Sequence, residues 1–314
     1  MMTSRERVLM TLRHEEPDRV PYDVMVCDSL RERLGEALGV TNINLCDHFG
    51  YDIRWIPIEQ PPCPTGIDAT EWTPSLKPED IEECRIKIGK AHDEGLAVVS
   101  GYHMGVFEQI KDWLGDVDTL LMPYDDPSAF RSLLERVTEW KKDVYGSYVE
   151  AGVDLVIIGD DLGTQRSLVM SPESYREWYK PCHAELVSHF RSIRSDVKVA
   201  FHCCGYVVPL IGDLIEAGID VLQSVQAETM DLAYLKKEFG RDISFWGGVG
   251  AQSVLARSTP EQVIEGVRQT LETMAPNGGY IAAPCHILTE EVGWESIVAF
   301  SDAMAAYGAY PSRV

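Results

Sequence analysis

From Pro127 onward the apolar positions of this chain alternate between two periods. Phe130, Leu133, Leu134, Val137 and Trp140 recur at helical spacing behind Asp125 and Asp126, so the pattern predicts a capped helix over 127–152. The run that follows, Asp154-Leu-Val-Ile-Ile-Gly-Asp-Asp161, is short and continuously apolar, as a strand buried on both faces should be. Ser171-Pro172-Glu173 then opens a helix with an N-cap serine, proline in the first turn and an early acid, running towards Arg194. Beyond it the pattern predicts strands over 198–204, 221–225, 243–248 and 279–284. Helices are predicted over 207–217, 232–239, 260–274 and 294–307, the third opened by a second cap signature, Thr259-Pro260-Glu261.

Strand–helix units joined by short turns imply a parallel sheet. With further strand candidates at 20–26 and 96–100, the expected fold is α/β, a (β/α)8 TIM-type barrel with an N-terminal extension. An open doubly wound sheet is the alternative on pattern alone. The segment 42–93, rich in proline and acids, reads as a long early excursion, and the whole of 1–314 as one domain.

Composition adds exclusions. The chain has 314 residues, 45% hydrophobic and 25% charged, close to globular averages. No run approaches the ~18 consecutive apolar residues of a membrane span, and the start, Met1 to Asp18, has none of the layout of a secretory signal. A net charge of −22, with no Lys/Arg-rich block, argues against nucleic acid and anionic membrane as partners. Eight cysteines are too few for a disulfide scaffold at this length and suit a reducing compartment, so the cytoplasm is the expected location. Self-association as a homodimer stays open.

In parallel barrels the chemistry gathers at the C-terminal ends of the strands. The polar residues there are Asp23 and Asp28, Tyr102 and His103, Asp160 and Asp161, His202 and Cys204, Gln223 and Gln226, and Cys285 and His286. His202 and Cys204 are two apart and share one strand face, while Cys203 faces away into the packing of the helices. Imidazole and thiolate side by side, with more Cys and His arriving from Ala283-Pro284-Cys285-His286, make a candidate Zn2+ site. Either Cys285 or His286 completes the ligand set, because a bend at Pro284 defeats the parity rule. Gly205 leaves room where the strand turns. Gly159-Asp160-Asp161-Leu162-Gly163-Thr164-Gln165 sets two carboxylates and an amide at another strand end. They suit acid–base work, metal ligation or polar substrate binding, against the plainer alternative of a helix cap. Gly247-Gly248-Val249-Gly250 lacks the third glycine and following acid of a dinucleotide loop and reads as tight packing. His183 and His189, on a predicted helix, read as surface or packing residues.

These landmarks bring a family into view. Glu15-Glu16-Pro17-Asp18-Arg19-Val20-Pro21, Phe49-Gly50-Tyr51-Asp52-Ile53-Arg54, Asp160 to Gln165, His202-x-Cys204-Gly205, Glu216-Ala217-Gly218-Ile219-Asp220, Trp246-Gly247-Gly248 and Gly278-Gly279-Tyr280 resemble the uroporphyrinogen decarboxylase superfamily over nearly the whole chain. That resemblance implies a β/α barrel. The true decarboxylases bind porphyrinogen through an arginine-rich segment. Here the matching stretch, Tyr22-Asp-Val-Met-Val-Cys-Asp28, has no arginine, so porphyrinogen decarboxylation, metal-free, is the second choice. A non-catalytic barrel binding a corrinoid or tetrapyrrole is the third.

The sequence resembles the zinc-dependent methyltransferases that work with corrinoid proteins, whose His-x-Cys and distal Cys are matched by His202, Cys204 and Cys285; a gap-free register puts His286 at the distal place. The resemblance implies a small methylated substrate (methoxy compound, amine or thiol), a cobalamin-type corrinoid carried by a partner protein, and transfer in the demethylating direction. Asp160, Asp161 and His103 become candidate catalytic groups, and Gln165, Gln226 and Tyr102 candidate substrate contacts.

Overall fold

The computed structural model describes residues 2–57 and 68–311, with Ala69, Tyr102 and His103 described by their backbone alone. Seven strands are hydrogen-bonded in chain order, every pair parallel: β1 (Ile53–Pro57), β2 (Ala97–Met104), β3 (Leu155–Gly159), β4 (Lys198–His202), β5 (Val221–Val225), β6 (Ser244–Val249) and β7 (Tyr280–Pro284). Parallel neighbours need crossover connections, and helices such as Pro127–Ala151, Lys180–Ile193, Leu232–Phe239 and Pro260–Met274 supply them. The caps read from the sequence are in place. Asp126 accepts the N–H of Ala129, Ser171 that of Ser174, and Thr259 forms a reciprocal box with Gln262.

The eighth position of the barrel is held differently from the other seven. Segment 20–26 runs beside β7 through isolated parallel bridges, Tyr22 with Ala282 and Val26 with Leu288. On its other side the Tyr22 carbonyl accepts the N–H of Asp52, the residue before β1. The segment thus joins the two ends of the sheet without forming a regular ladder. Pro21 lies within it and has no N–H to give, which limits a continuous ladder there. Buried ion pairs of Asp52 with Arg7 at 2.7 Å and with Arg19 fix this seam.

Side chains alternate across the sheet. Ile53, Ala97, Val99, Leu155, Ile157, Ala200, Val221, Trp246, Ile281 and Ala283 form an inner cluster, with Trp55 packed against it. Their neighbours, among them Val98, Val156, Ile158, Phe201, Leu222 and Phe245, face the helices. The N-terminal extension is structural. Helix Ser4–Thr11 and Leu12 bring Val8 and Leu12 into the inner cluster, and Thr11 and Gly279 share a backbone hydrogen bond.

The early excursion is a correction to the sequence reading. It contains β1 and the helices Leu45–Phe49 and Pro78–Asp93, while its stretch 58–67 lies outside the described residues. Strand β1 escapes a pattern search because its five residues include Arg54, drawn outward to Asp47 and Glu94, and end in proline. Among the described residues no helix is long and apolar enough to cross a membrane.

Candidate metal centre

The alternation that builds the barrel also sorts the polar residues at its mouth. In β4 Ala200 points inward and Phe201 outward, so His202 is inward, Cys203 outward and Cys204 inward again. Cys203 is fully buried in the helix-side core, where its sulfur accepts the N–H of Leu162 at 3.3 Å. In β3 Ile157 is inward and Ile158 outward, which carries Asp160 outward and Asp161 inward.

The two adjacent acids therefore have different surroundings. Asp160 is completely buried and accepts the N–H groups of Val106 at 3.0 Å and Glu108 at 2.8 Å, at the start of helix Phe107–Leu114. It also takes His183 Nε2 at 2.8 Å, and the other ring nitrogen of His183 meets the Tyr175 hydroxyl at 3.1 Å. With Nε2 donating to Asp160 and Nδ1 accepting the Tyr175 hydroxyl, both ring nitrogens are satisfied. This is a cap and core network, the plainer alternative for Asp160. His183 is buried packing, as one of the two readings had it.

Asp161 faces the mouth. Its Oδ1 accepts the backbone N–H of Cys204 at 2.8 Å and lies 3.6 Å from His202 Nε2. His202 Nε2 lies 3.4 Å from Cys204 Sγ, and the ligating atoms of Asp161, His202 and Cys204 all fall within 4.8 Å of one another. Nitrogen, oxygen and sulfur around a tetrahedral zinc stand roughly 3.3–3.6 Å apart, given ordinary zinc–ligand bond lengths. The donor set therefore fits zinc in chemistry, and the two separations from His202, 3.4 and 3.6 Å, match that spacing. The Nδ1 of His202 hydrogen-bonds the side-chain oxygen of Gln223, which leaves the Nε2 lone pair aimed at the group. Burial works against a charged His202, but Cys204 and Asp161 beside it hold its pKa above the ordinary imidazole range.

Two glycines let the loops after β3 and β4 touch. A Cβ on Gly205, at φ +78°, would stand 2.5 Å from the Thr164 carbonyl oxygen, and one on Gly163 would stand 2.6 Å from that of Cys204. Gln226 stitches the same loops: its side-chain oxygen accepts the N–H of Gly205 at 3.1 Å and its amide donates to Gln165 at 3.3 Å. Gln226 is buried and Gln165 exposed.

The distal pair from β7 is placed elsewhere. Cys285 Sγ accepts the N–H of Ala251 at 3.2 Å and donates to Glu228 at 3.4 Å, and burial pushes its thiol up to about 12. Glu228 resists its own burial because the N–H and hydroxyl of Ser253 hold its carboxyl below the ordinary range. His286 is exposed, with Nδ1 3.1 Å from the Ile287 carbonyl. Neither joins the group of Asp161, His202 and Cys204. The side chains of Tyr102 and His103 lie outside the described residues, while their backbone closes β2 beyond a register shift at Gly101.

A family model for uroporphyrinogen decarboxylase (URO-D) matches residues 115–307, well over half of the chain and all of β3 to β7. The chain belongs to the URO-D family. This URO-D family member is 24% identical over 147 residues to a methylated-thiol–coenzyme M methyltransferase of Methanosarcina mazei. That alignment spans 46% of this chain and 37% of the relative. The solved structure of a methyltransferase from Methanosarcina mazei superposes with a TM-score of 0.74 at 19% identity, covering 98% of this chain and 100% of that one. The likeness establishes the shared barrel.

Sequence reasoning passed over Gln223 and Asp23 as site residues, although both stood among the strand-end polar positions. Parity was the available signal. Val221 is inward, so Gln223 is inward too. Val20, Tyr22, Val24 and Val26 pack on the helix side, so Asp23 faces the interior.

Proposed function

We propose that this chain is a zinc-dependent methyltransferase that takes a methyl group from a small methylated compound and passes it to a corrinoid carried by a partner protein. The observation that carries the reading is the convergence of Asp161, His202 and Cys204, an O, N and S donor set, at the C-terminal mouth of a URO-D barrel. The curated relative and the structural neighbour, both methyltransferases by name, support the class of reaction. Zinc held there would act as a Lewis acid on the heteroatom that carries the methyl group, and the corrinoid would supply the nucleophilic cobalt.

The chain's own residues have separable tasks. His202 and Cys204 are the principal ligands, and Asp161 takes the third place expected for either Cys285 or His286. Gln223 holds His202 in the tautomer whose Nε2 would bind the metal. Gln226 and Gln165 fix the loop edge beside the ligands, while His103 is assigned proton handling and Tyr102 substrate contact. Porphyrinogen decarboxylation stays second, since segment 20–26 brings no arginine to the interior for an eight-carboxylate substrate.

The test is metal content together with methyl transfer. Purified protein is expected to hold about one zinc per chain by elemental analysis, lost in H202A/C204A with the circular dichroism spectrum retained. Zinc-loaded protein should convert cob(I)alamin to methylcobalamin with a methyl donor from a panel of ethers, amines and thioethers. Zinc-free protein releasing carbon dioxide from a porphyrinogen would overturn the reading.

A further inference from the structure

Segment 20–26 turns Asp23 into the barrel, where its side chain is 2% exposed. Its Oδ2 accepts the indole N–H of Trp55 at 2.7 Å. Asp23 lines a cavity of about 10 Å³ with Met25, Gln223, Trp246, Ala283 and His286. A cavity of that size holds one water or one oxygen-sized group. Trp246, 1% exposed, lines the same niche, and its indole N–H finds no acceptor among the described residues. Trp55 and Trp246 stand with ring centroids 5.3 Å apart and give the niche an aromatic wall.

Burial raises the Asp23 carboxyl to about 7, and the Trp55 hydrogen bond only partly offsets it. The titratable groups around it do not favour ionisation. Asp52 adds to the rise and is itself occupied by Arg7 and Arg19. Cys46 and Tyr51 are both raised and neutral, and His286 lies on the exposed side of the niche. A carboxyl group and an indole N–H with no acceptor thus line a space for a single acceptor atom. Gln223 belongs to this niche and also holds His202, so the niche adjoins the metal centre.

We propose that this niche receives the oxygen of a methyl ether and that Asp23 is the proton donor to that oxygen, an inference that rests on the methyltransferase reading above. As the methyl carbon bonds to the nucleophile, a Co(I) corrinoid, the C–O bond breaks and its electron pair stays on oxygen. The Asp23 proton passes to that oxygen, giving an alcohol or phenol and leaving the Asp23 carboxylate. Trp246 N–H donates a second hydrogen bond to the same atom. The substrate class is a neutral methoxy compound: a neutral acid and an orphan N–H suit an acceptor oxygen, whereas a quaternary ammonium would offer neither of them a partner.

The experiment has two arms. Infrared titration of the full-length zinc protein should show a protonated-carboxyl band that fades as pH rises through about 7, is absent from D23N, and shifts when anisole is added. In the second arm, cob(I)alamin demethylates anisole and 4-nitroanisole. D23N should slow anisole by on the order of 10²-fold, and 4-nitroanisole, whose leaving group needs no proton, by less than about tenfold. Equal slowing of both ethers overturns the proposal, as does a carboxyl already ionised at pH 5. If wild type is inert towards both ethers but methylates cobalamin from an amine or thioether, the methyltransferase reading survives and the oxygen niche fails. If it methylates cobalamin from nothing, the reading of function itself fails. The infrared titration of wild type needs no variant to fold.

Discussion

Asp161 Oδ1 lies 3.6 Å from His202 Nε2 while accepting the backbone N–H of Cys204, so one carboxylate is tied to both residues of the His-x-Cys pair. The carboxylate of Asp160, one residue earlier, is turned away from them and instead caps the helix Phe107–Leu114. Alanine at the two positions should therefore fail in opposite ways. D161A removes a side chain that is 41% exposed, so the metal-free protein should lose no more than about 1 kcal/mol. Its zinc affinity, read by chelator competition, should fall at least about tenfold. D160A strips the N–H groups of Val106 and Glu108 and buried His183 of their partner, and denaturant unfolding should show a loss of about 3 kcal/mol or more. A D161A protein that keeps wild-type zinc affinity would remove Asp161 from the ligand set.

The Gln223 side chain reaches the metal centre through His202 Nδ1. Q223L keeps the bulk of the side chain but removes the acceptor that selects the tautomer. Zinc affinity is expected to drop about 10–100-fold, with the fold intact by circular dichroism. Nitrogen-15 chemical shifts of His202 should report a mixture of tautomers in place of one. Q223E, which restores an acceptor, should recover most of the affinity.

Gly205 should be as sensitive as a ligand although it binds nothing. An alanine there would carry its Cβ to 2.5 Å from the Thr164 carbonyl in a left-handed backbone conformation that side chains disfavour. The loop bearing Asp161 would have to withdraw from the loop bearing Cys204. G205A should weaken zinc binding and lower the melting temperature together, whereas G212A, whose Cβ would meet no atom within 4 Å, should change neither.

How far the sequence reached can be read from particular residues. Strands β3 to β7 were legible because each is a short, largely buried and mainly apolar run, such as Leu155–Gly159 with all five residues buried. Strand β1 was not, because Arg54 and Pro57 interrupt its pattern. The pairing of His202 with Cys204 followed from a spacing of two on one strand. Asp161 joining them did not, since adjacent acids look alike until the inward position of Ile157 assigns them to opposite faces. Cys285 is instructive in the other direction. Its chemistry matched a ligand, but the geometry after Pro284 turns it to Glu228, and no one-dimensional pattern encodes that turn.

Lys141 offers a check on the core independent of the site. It is fully buried in helix Pro127–Ala151, its Nζ donates to Gln109 at 2.7 Å, and it lies 4.4 Å from the ring of Trp140. Burial lowers its pKa to about 7, against the pull of Asp160 and Asp112. Between pH 7 and the ordinary lysine range the unfolded chain holds a proton that the native protein lacks. Native stability must then rise with pH across that window, by up to about 1.4 kcal/mol per pH unit from this group. Below pH 7 both states carry the proton and the contribution is flat. K141M removes the titration but strands the Gln109 carbonyl, so the double variant K141M/Q109L is the cleaner comparison. Urea unfolding at pH 7, 8 and 9 should give a wild-type-minus-variant difference that climbs with pH. Parallel curves would mean that Lys141 keeps its proton inside the core.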